Sequence, residues 1–193
     1  MVNALIDRGL SKKFTLLFPE IQLINDIMGT EKSLKRSDSH GPQSLFEAHP
    51  RVAIAFSGGV DSTYLVTAAA QYAQSVHAYT IDSAFVPRFE LEGAKALTKK
   101  IGITHTLLPI DVLQNETVVQ NPKDRCYFCK KAVFSTIWKA AKKDGYNLLL
   151  DGTNASDDAS DRPGMKALAE LDVLSPLRLC GLTKSLIRER SRA

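Results

Sequence analysis

The feature that most constrains this chain is a short apolar run, Val52-Ala53-Ile54-Ala55-Phe56, that stops at Ser57-Gly58-Gly59 and passes into a helical segment. Such a run is too short for a helix and has the composition of a buried strand. The pattern then repeats. Val76–Ile81, Thr106–Ile110, Leu148–Asp151 and Val173–Leu177 read as further strands, and helical periodicity fills 60–74, 87–101, 125–143 and 163–171. Strand and helix in alternation require crossover connections, so the sheet is parallel and doubly wound, an α/β domain of Rossmann-like type. Ligands of such sheets lie at the carboxyl ends of the strands.

Residues 1–50 break this pattern. An apolar stretch from Phe14 to Ile27 suits one short helix, and Gly29–Pro42 is a polar, turn-rich linker, so the chain divides into an N-terminal extension (1–50) and an α/β domain (51–193). Three cysteines are too few for a disulfide scaffold and suggest a reducing cytoplasm. No apolar stretch approaches the length of a membrane span, and the N-terminus lacks the form of a secretory signal. Net charge is +4, unevenly spread: residues 121–145 carry seven basic groups against two acidic, and 151–172 carry six acidic against two basic. A basic stretch of this size neutralises phosphates of a small ligand or forms a solvated helix face, and a nucleic-acid partner is the weaker reading.

The glycine loop carries the chemistry. Adjacent Gly58 and Gly59 remove side chains where backbone must approach a ligand, so a Cβ added at Gly58 is expected to fill the anion's space. The N–H groups of the loop and the first helical turn, Val60-Asp61-Ser62, then converge on an anion. Ser57 and Ser62 add hydroxyl donors. The GxxxxGK[ST] spacing and its lysine are absent, so this is not a Walker loop. A tight strand-to-helix turn would use glycines too, but not this whole string of polar residues.

Ser57-Gly58-Gly59-Val60-Asp61-Ser62 resembles the SGGxDS loop of the N-type ATP pyrophosphatases, of the PP-loop or adenine nucleotide alpha hydrolase type. That resemblance implies cleavage of ATP between its α and β phosphates, with residues Ser57 to Ser62 holding the phosphates and Mg²⁺ screening them. It also implies that Ile81 and Gly152, at the ends of neighbouring strands, flank the adenosine, and that Asp61 takes part in catalysis.

Two further segments add candidates. In Asn121-Pro122-Lys123-Asp124-Arg125-Cys126-Tyr127-Phe128-Cys129, Asp124 suits a helix N-cap and the two cysteines share one helix face. Thiols there serve as zinc or iron–sulfur ligands, as sulfur nucleophiles, or as ordinary part-buried side chains; they are expected to face the Ser57 loop. Cys180 reads as a small buried hydrophobe. After Leu148–Asp151 come Gly152-Thr153-Asn154, then Asp157, Asp158, Asp161 and Arg162. Asp157 is a candidate Mg²⁺ ligand, and Arg162 suits an anionic substrate group in a catalytic role. The four histidines (His40, His49, His77, His105) show no ligand spacing and read as surface or strand-end residues.

Taken in order, SGGVDST, NPKDRCYFCKK, DGTNASDD with RPGMKAL, and SPL with GLTKSLIRE resemble the LarE family of ATP-dependent sulfur transferases over residues 51–193. The resemblance implies adenylation of a carboxylate on a pyridinium mononucleotide, a precursor of the nickel-pincer nucleotide cofactor, with release of pyrophosphate and insertion of sulfur. It implies ATP and Mg²⁺, and homo-oligomers in the family. It also implies a [4Fe–4S] cluster on Cys126 and Cys129, whose third ligand is expected past residue 193 together with a smaller C-terminal domain. A tRNA thiolation enzyme of the same superfamily, or an ATP- or AMP-binding module without turnover, are the alternatives.

Overall fold

The computed structural model describes residues 42–111, 124–157 and 162–192. Every described residue belongs to one compact unit, which begins after residue 40. The short helix and most of the linker read within residues 1–50 lie outside the described residues.

A short helix α1 (Gln43–Ala48) precedes strand β1 (Arg51–Ala55) and helix α2 (Val60–Tyr72). Strand β2 (Ser75–Asp82), helix α3 (Arg88–Ile101) and strand β3 (Thr104–Pro109) follow. The long helix α4 (Arg125–Lys143) leads to β4 (Leu149–Leu150), α5 (Arg162–Glu170) and β5 (Val173–Leu174). Two short helices, α6 (Pro176–Leu179) and α7 (Lys184–Arg190), complete the order.

The five strands pair in parallel in the order β3-β2-β1-β4-β5. The chain builds outward from β1 in one direction through β2 and β3, then returns past β1 to add β4 and β5. The direction reverses beside β1, so the crevice above its carboxyl end is the topological switch point where such sheets bind ligands.

Alternating strand residues serve the two faces of the sheet. Ala53, Tyr79 and Leu149 pack with Phe134, Ile137 and Ala141 of α4, Leu168 of α5 and Val173 in one buried cluster. Helices α2 and α3 contact each other and β2 in the second layer, where Leu65, Val66, Leu91 and Ala94 are buried. Phe46 of α1 is fully buried, and that helix packs on α2. Among the described residues no helix is long and apolar enough to cross a membrane.

Two expectations change here. The fifth strand ends at Leu174 rather than Leu177, because Pro176 opens α6 and Ser175 turns its hydroxyl to Asp151. His77 is neither at the surface nor at a strand end. It is buried mid-strand in β2, with Nε2 bonded to Thr106 at 2.8 Å and Nδ1 to the Tyr79 hydroxyl at 3.1 Å, while that hydroxyl donates to Asp144 at 2.7 Å.

Candidate functional site

A cavity of about 410 Å³ opens at the carboxyl ends of β1, β2 and β4. The Ser57–Ser62 loop forms its floor through Ser57, Gly59, Asp61 and Ser62, and Ile81 and Gly152 line it from β2 and from the turn after β4. Helix α4 contributes Lys130, Val133, Phe134 and Ile137, a stripe at helical spacing, and Asp151, Thr153 and Asp157 complete the β4 side.

The loop is held by its own hydroxyls. Ser57 Oγ lies 3.1 Å from Ser62 Oγ, Gly59 N–H donates to Ser57 Oγ at 3.3 Å, and Ser62 Oγ donates to the Gly59 carbonyl at 3.1 Å. Gly59 is extended and caps α2 without a side chain, leaving the first-turn N–H groups for a ligand. Asp61 sits in that turn. Its Oδ2 accepts from Asn154 Nδ2 at 3.2 Å and lies 3.9 Å from Lys184 Nζ, while its Oδ1 is buried with no hydrogen-bond partner. A buried carboxylate oxygen without a partner is costly unless something charged or donating meets it.

Asn154, fully buried, ties the acidic turn to the loop. Its Nδ2 bridges Asp61 and Asp157 Oδ1, its backbone N–H donates to Asp157 Oδ2 at 2.8 Å, and its Oδ1 accepts from Ser156 N–H. Asp157 therefore spends both oxygens within the turn. Asp151 is buried at the end of β4 and accepts hydroxyl protons from Thr153 and Ser175. Burial pushes its carboxyl above the usual carboxylate range, against the pull of those two hydroxyls.

Several sequence candidates fall elsewhere. Gly58 has φ +78° and does not line the cavity; a Cβ there would meet Ala94 of α3 at 3.5 Å rather than an anion. Its glycine is required by the left-handed backbone. Val60 is exposed and also outside the lining. Arg162 opens α5, and its side chain, with Asp158 and Asp161, lies outside the described residues, so the cavity lining does not bear on these three. Asp124 caps α4 through its carbonyl, with no side-chain bond.

The two cysteines stand at the start of α4. Cys126 is exposed on the first turn of α4, one turn before Lys130, and Cys129 is part-buried. Neither lines the cavity. Cys180 is only part-buried at the end of α6; burial pushes its thiol up, opposed by Arg190. Among the described residues no three His, Cys, Asp or Glu side chains gather so as to hold a metal.

Sequence reasoning passed over Lys130, Asp151, Asn154 and Lys184. Asp151 and Asn154 were legible as part of the DGTN string that ends β4. Lys184 reaches Asp61 only through the fold: Thr183 accepts from Leu186 N–H to start α7, Lys184 N–H donates to Ser156 Oγ, and buried Ile187 anchors the helix.

Comparison with known proteins follows the same lines. Residues 44–155 match the asparagine synthase family. The chain is 38% identical over 151 residues to an uncharacterized protein of Synechocystis sp., covering 78% of this chain and 56% of that one. It is 30% identical over 140 residues to pyridinium-3,5-bisthiocarboxylic acid mononucleotide synthase of Lactiplantibacillus plantarum, covering 72% and 51%. The glutamine-dependent NAD+ synthetase of Acinetobacter baumannii, solved in complex with ADP, shares the fold with a TM-score of 0.60 at 19% identity, over 77% of this chain and 30% of that one. The chain spans about half the length of the curated relatives it matches.

Proposed function

The chain belongs to the asparagine synthase family, and from that premise we propose that it is the ATP-binding part of a sulfur transferase that activates a carboxylate on a pyridinium mononucleotide. One observation carries this reading. The Ser57–Ser62 loop, Ile81 and Gly152 converge on a single cavity at the switch point of the sheet, with Asp61 presenting a partnerless buried oxygen beside it.

In this reading the loop N–H groups and the Ser57 and Ser62 hydroxyls hold the phosphates, while Ile81 and Gly152 flank the adenosine. The loop has no cation of its own, and Lys184, already near Asp61, supplies one to the departing pyrophosphate. A hard carboxylate oxygen such as Asp61 Oδ1 fits Mg²⁺, which protein sites bind through one or two carboxylates plus substrate phosphates. When bound, that ion would neutralise phosphate charge. Lys130 on the α4 wall is placed to attract the substrate's anionic groups, and Arg162, at the first position of α5, is the second cation assigned to them.

The reaction has two halves. A substrate carboxylate oxygen attacks the α-phosphorus, and the bond to the β-phosphate oxygen breaks with its electron pair leaving on pyrophosphate. A sulfur nucleophile then adds to the acyl carbon, and the acyl C–O bond breaks to release AMP. No part is assigned to a cluster at Cys126 and Cys129.

Radiolabelled ATP, incubated with the protein, a carboxylated pyridinium mononucleotide and sulfide as the sulfur nucleophile, should yield AMP and pyrophosphate. ADP as the only product would move the protein to another class of phosphoryl chemistry.

A further inference from the structure

Both backbone polar groups of Phe56, the last residue before the phosphate loop, are tied to consecutive residues of β2. Its N–H donates to the Tyr79 carbonyl at 2.8 Å. Its carbonyl accepts from the Thr80 hydroxyl at 2.6 Å, a side chain standing where a parallel sheet would continue with backbone. The chain leaves the sheet at this peptide, and Thr80 satisfies the carbonyl that the departure would strand.

Thr80 is itself held. Its Oγ1 lies 2.8 Å from His105 Nε2 on β3. A hydroxyl has one proton, and Thr80's goes to Phe56, so His105 must donate through Nε2–H. The ring of Phe56 also meets the imidazole edge to face at 6.0 Å. Three adjacent strands thus form one chain of donors, His105 to Thr80 to Phe56, ending at the peptide from which Ser57-Gly58-Gly59 departs. Thr80 is buried, and His105 is half-buried.

Resting on the proposed function, we propose that Thr80 is a positioning residue for the phosphate loop and that His105 acts through it. Fixing the Phe56 carbonyl fixes the direction in which the loop leaves β1. The Ser57–Gly59 backbone is thereby set to meet phosphate without first being ordered by it, and preorganisation of this kind shows as affinity.

The test is ATP affinity of the 193-residue chain, measured with Mg²⁺ by titration calorimetry. Thr80→Val keeps the shape and loses the hydroxyl, and should weaken ATP about tenfold. Thr80→Ser keeps the hydroxyl and should restore affinity, which a packing role for the methyl group would not predict. His105→Phe should weaken ATP alone yet add nothing in the Thr80→Val background, because the two act in series. A Thr80→Val chain that binds ATP like the parent, or a His105→Phe effect that persists undiminished in that background, would overturn the inference and leave the nucleotide site standing. A parent chain with no affinity for ATP would overturn both.

Discussion

A Cβ placed on Gly152 would stand 3.0 Å from the backbone nitrogen of Ser62 and 3.1 Å from its Cα. The turn after β4 therefore rests directly on the first turn of α2, and the two sides of the cavity are set by that contact. Neither partner is a flexible side chain that could swing away. Gly152→Ala should cost about 1–3 kcal/mol, the usual range for overpacking, and should weaken ATP binding in the same protein. Urea unfolding together with an ATP titration checks it. An alanine variant as stable as the parent would mean the contact is looser than the geometry requires.

Gly58 makes the opposite case. Its φ of +78° is left-handed, and the atoms nearest a Cβ there are at ordinary contact distance in Ala94. Conformation, not space, demands the glycine. Gly58→Ala should lose about 1 kcal/mol, and Gly58→Asn should lose less, since asparagine tolerates this region better than alanine does. Thermal melts of both variants give the order. If the larger asparagine proves the worse, space is limiting after all.

Asp151 gives the stability a pH dependence. Burial raises its carboxyl, with Ser175 and Thr153 hydroxyls opposing, so the folded chain holds this proton more tightly than the unfolded one. Its contribution is fully present below the unfolded pKa and is lost as pH rises through the raised folded value. Asp151→Asn cannot titrate. Its stability relative to the parent should therefore climb as pH rises from the carboxylate range toward neutrality, and level off once the folded carboxyl has ionised. Urea unfolding of both proteins across that pH range measures the climb. A difference between the two that stays flat with pH would contradict the raised carboxyl.

Lys184 should separate nucleotides by their phosphates. Its ammonium lies 3.9 Å from Asp61 Oδ2, at the edge of the loop. In the proposed role, where the charge serves the terminal phosphates, Lys184→Gln is expected to weaken ATP about tenfold while weakening AMP much less. Equal losses for the two nucleotides would place the lysine elsewhere on the ligand or make its effect structural.

The sheet and its first loop were legible because they are local. Apolar runs of strand length and helical periodicity identify β1 to β4 and α2 to α5 within a residue or two, and Ser57-Gly58-Gly59 marks the turn between them without help from the fold. What stayed hidden depends on partners distant in sequence. Nothing in Val76–Ile81 marks Thr80 as the donor to Phe56, and nothing in GLTKSLIRE brings Lys184 toward Asp61. Gly58 and Gly59 look equivalent as letters, yet the backbone turns one toward α3 and the other toward the cavity. The two cysteines precede Lys130, Val133, Phe134 and Ile137 along α4, and only the later four line the cavity, a division that depends on where the sheet ends. His77 looked peripheral because the polar partners that bury it, Tyr79, Thr106 and Asp144, come from two strands and the end of a helix.

In the proposed function the Ser57–Ser62 loop holds the phosphates of ATP. Calorimetric titration of the 193-residue chain with ATP and then with adenosine, both with Mg²⁺, tests it most directly, because the two ligands differ only in what that loop would bind. The account predicts saturable one-to-one binding of ATP and at least about tenfold weaker binding of adenosine, the loss of several charge-assisted bonds. Equal affinity for the two, or no saturable binding of ATP, would contradict it.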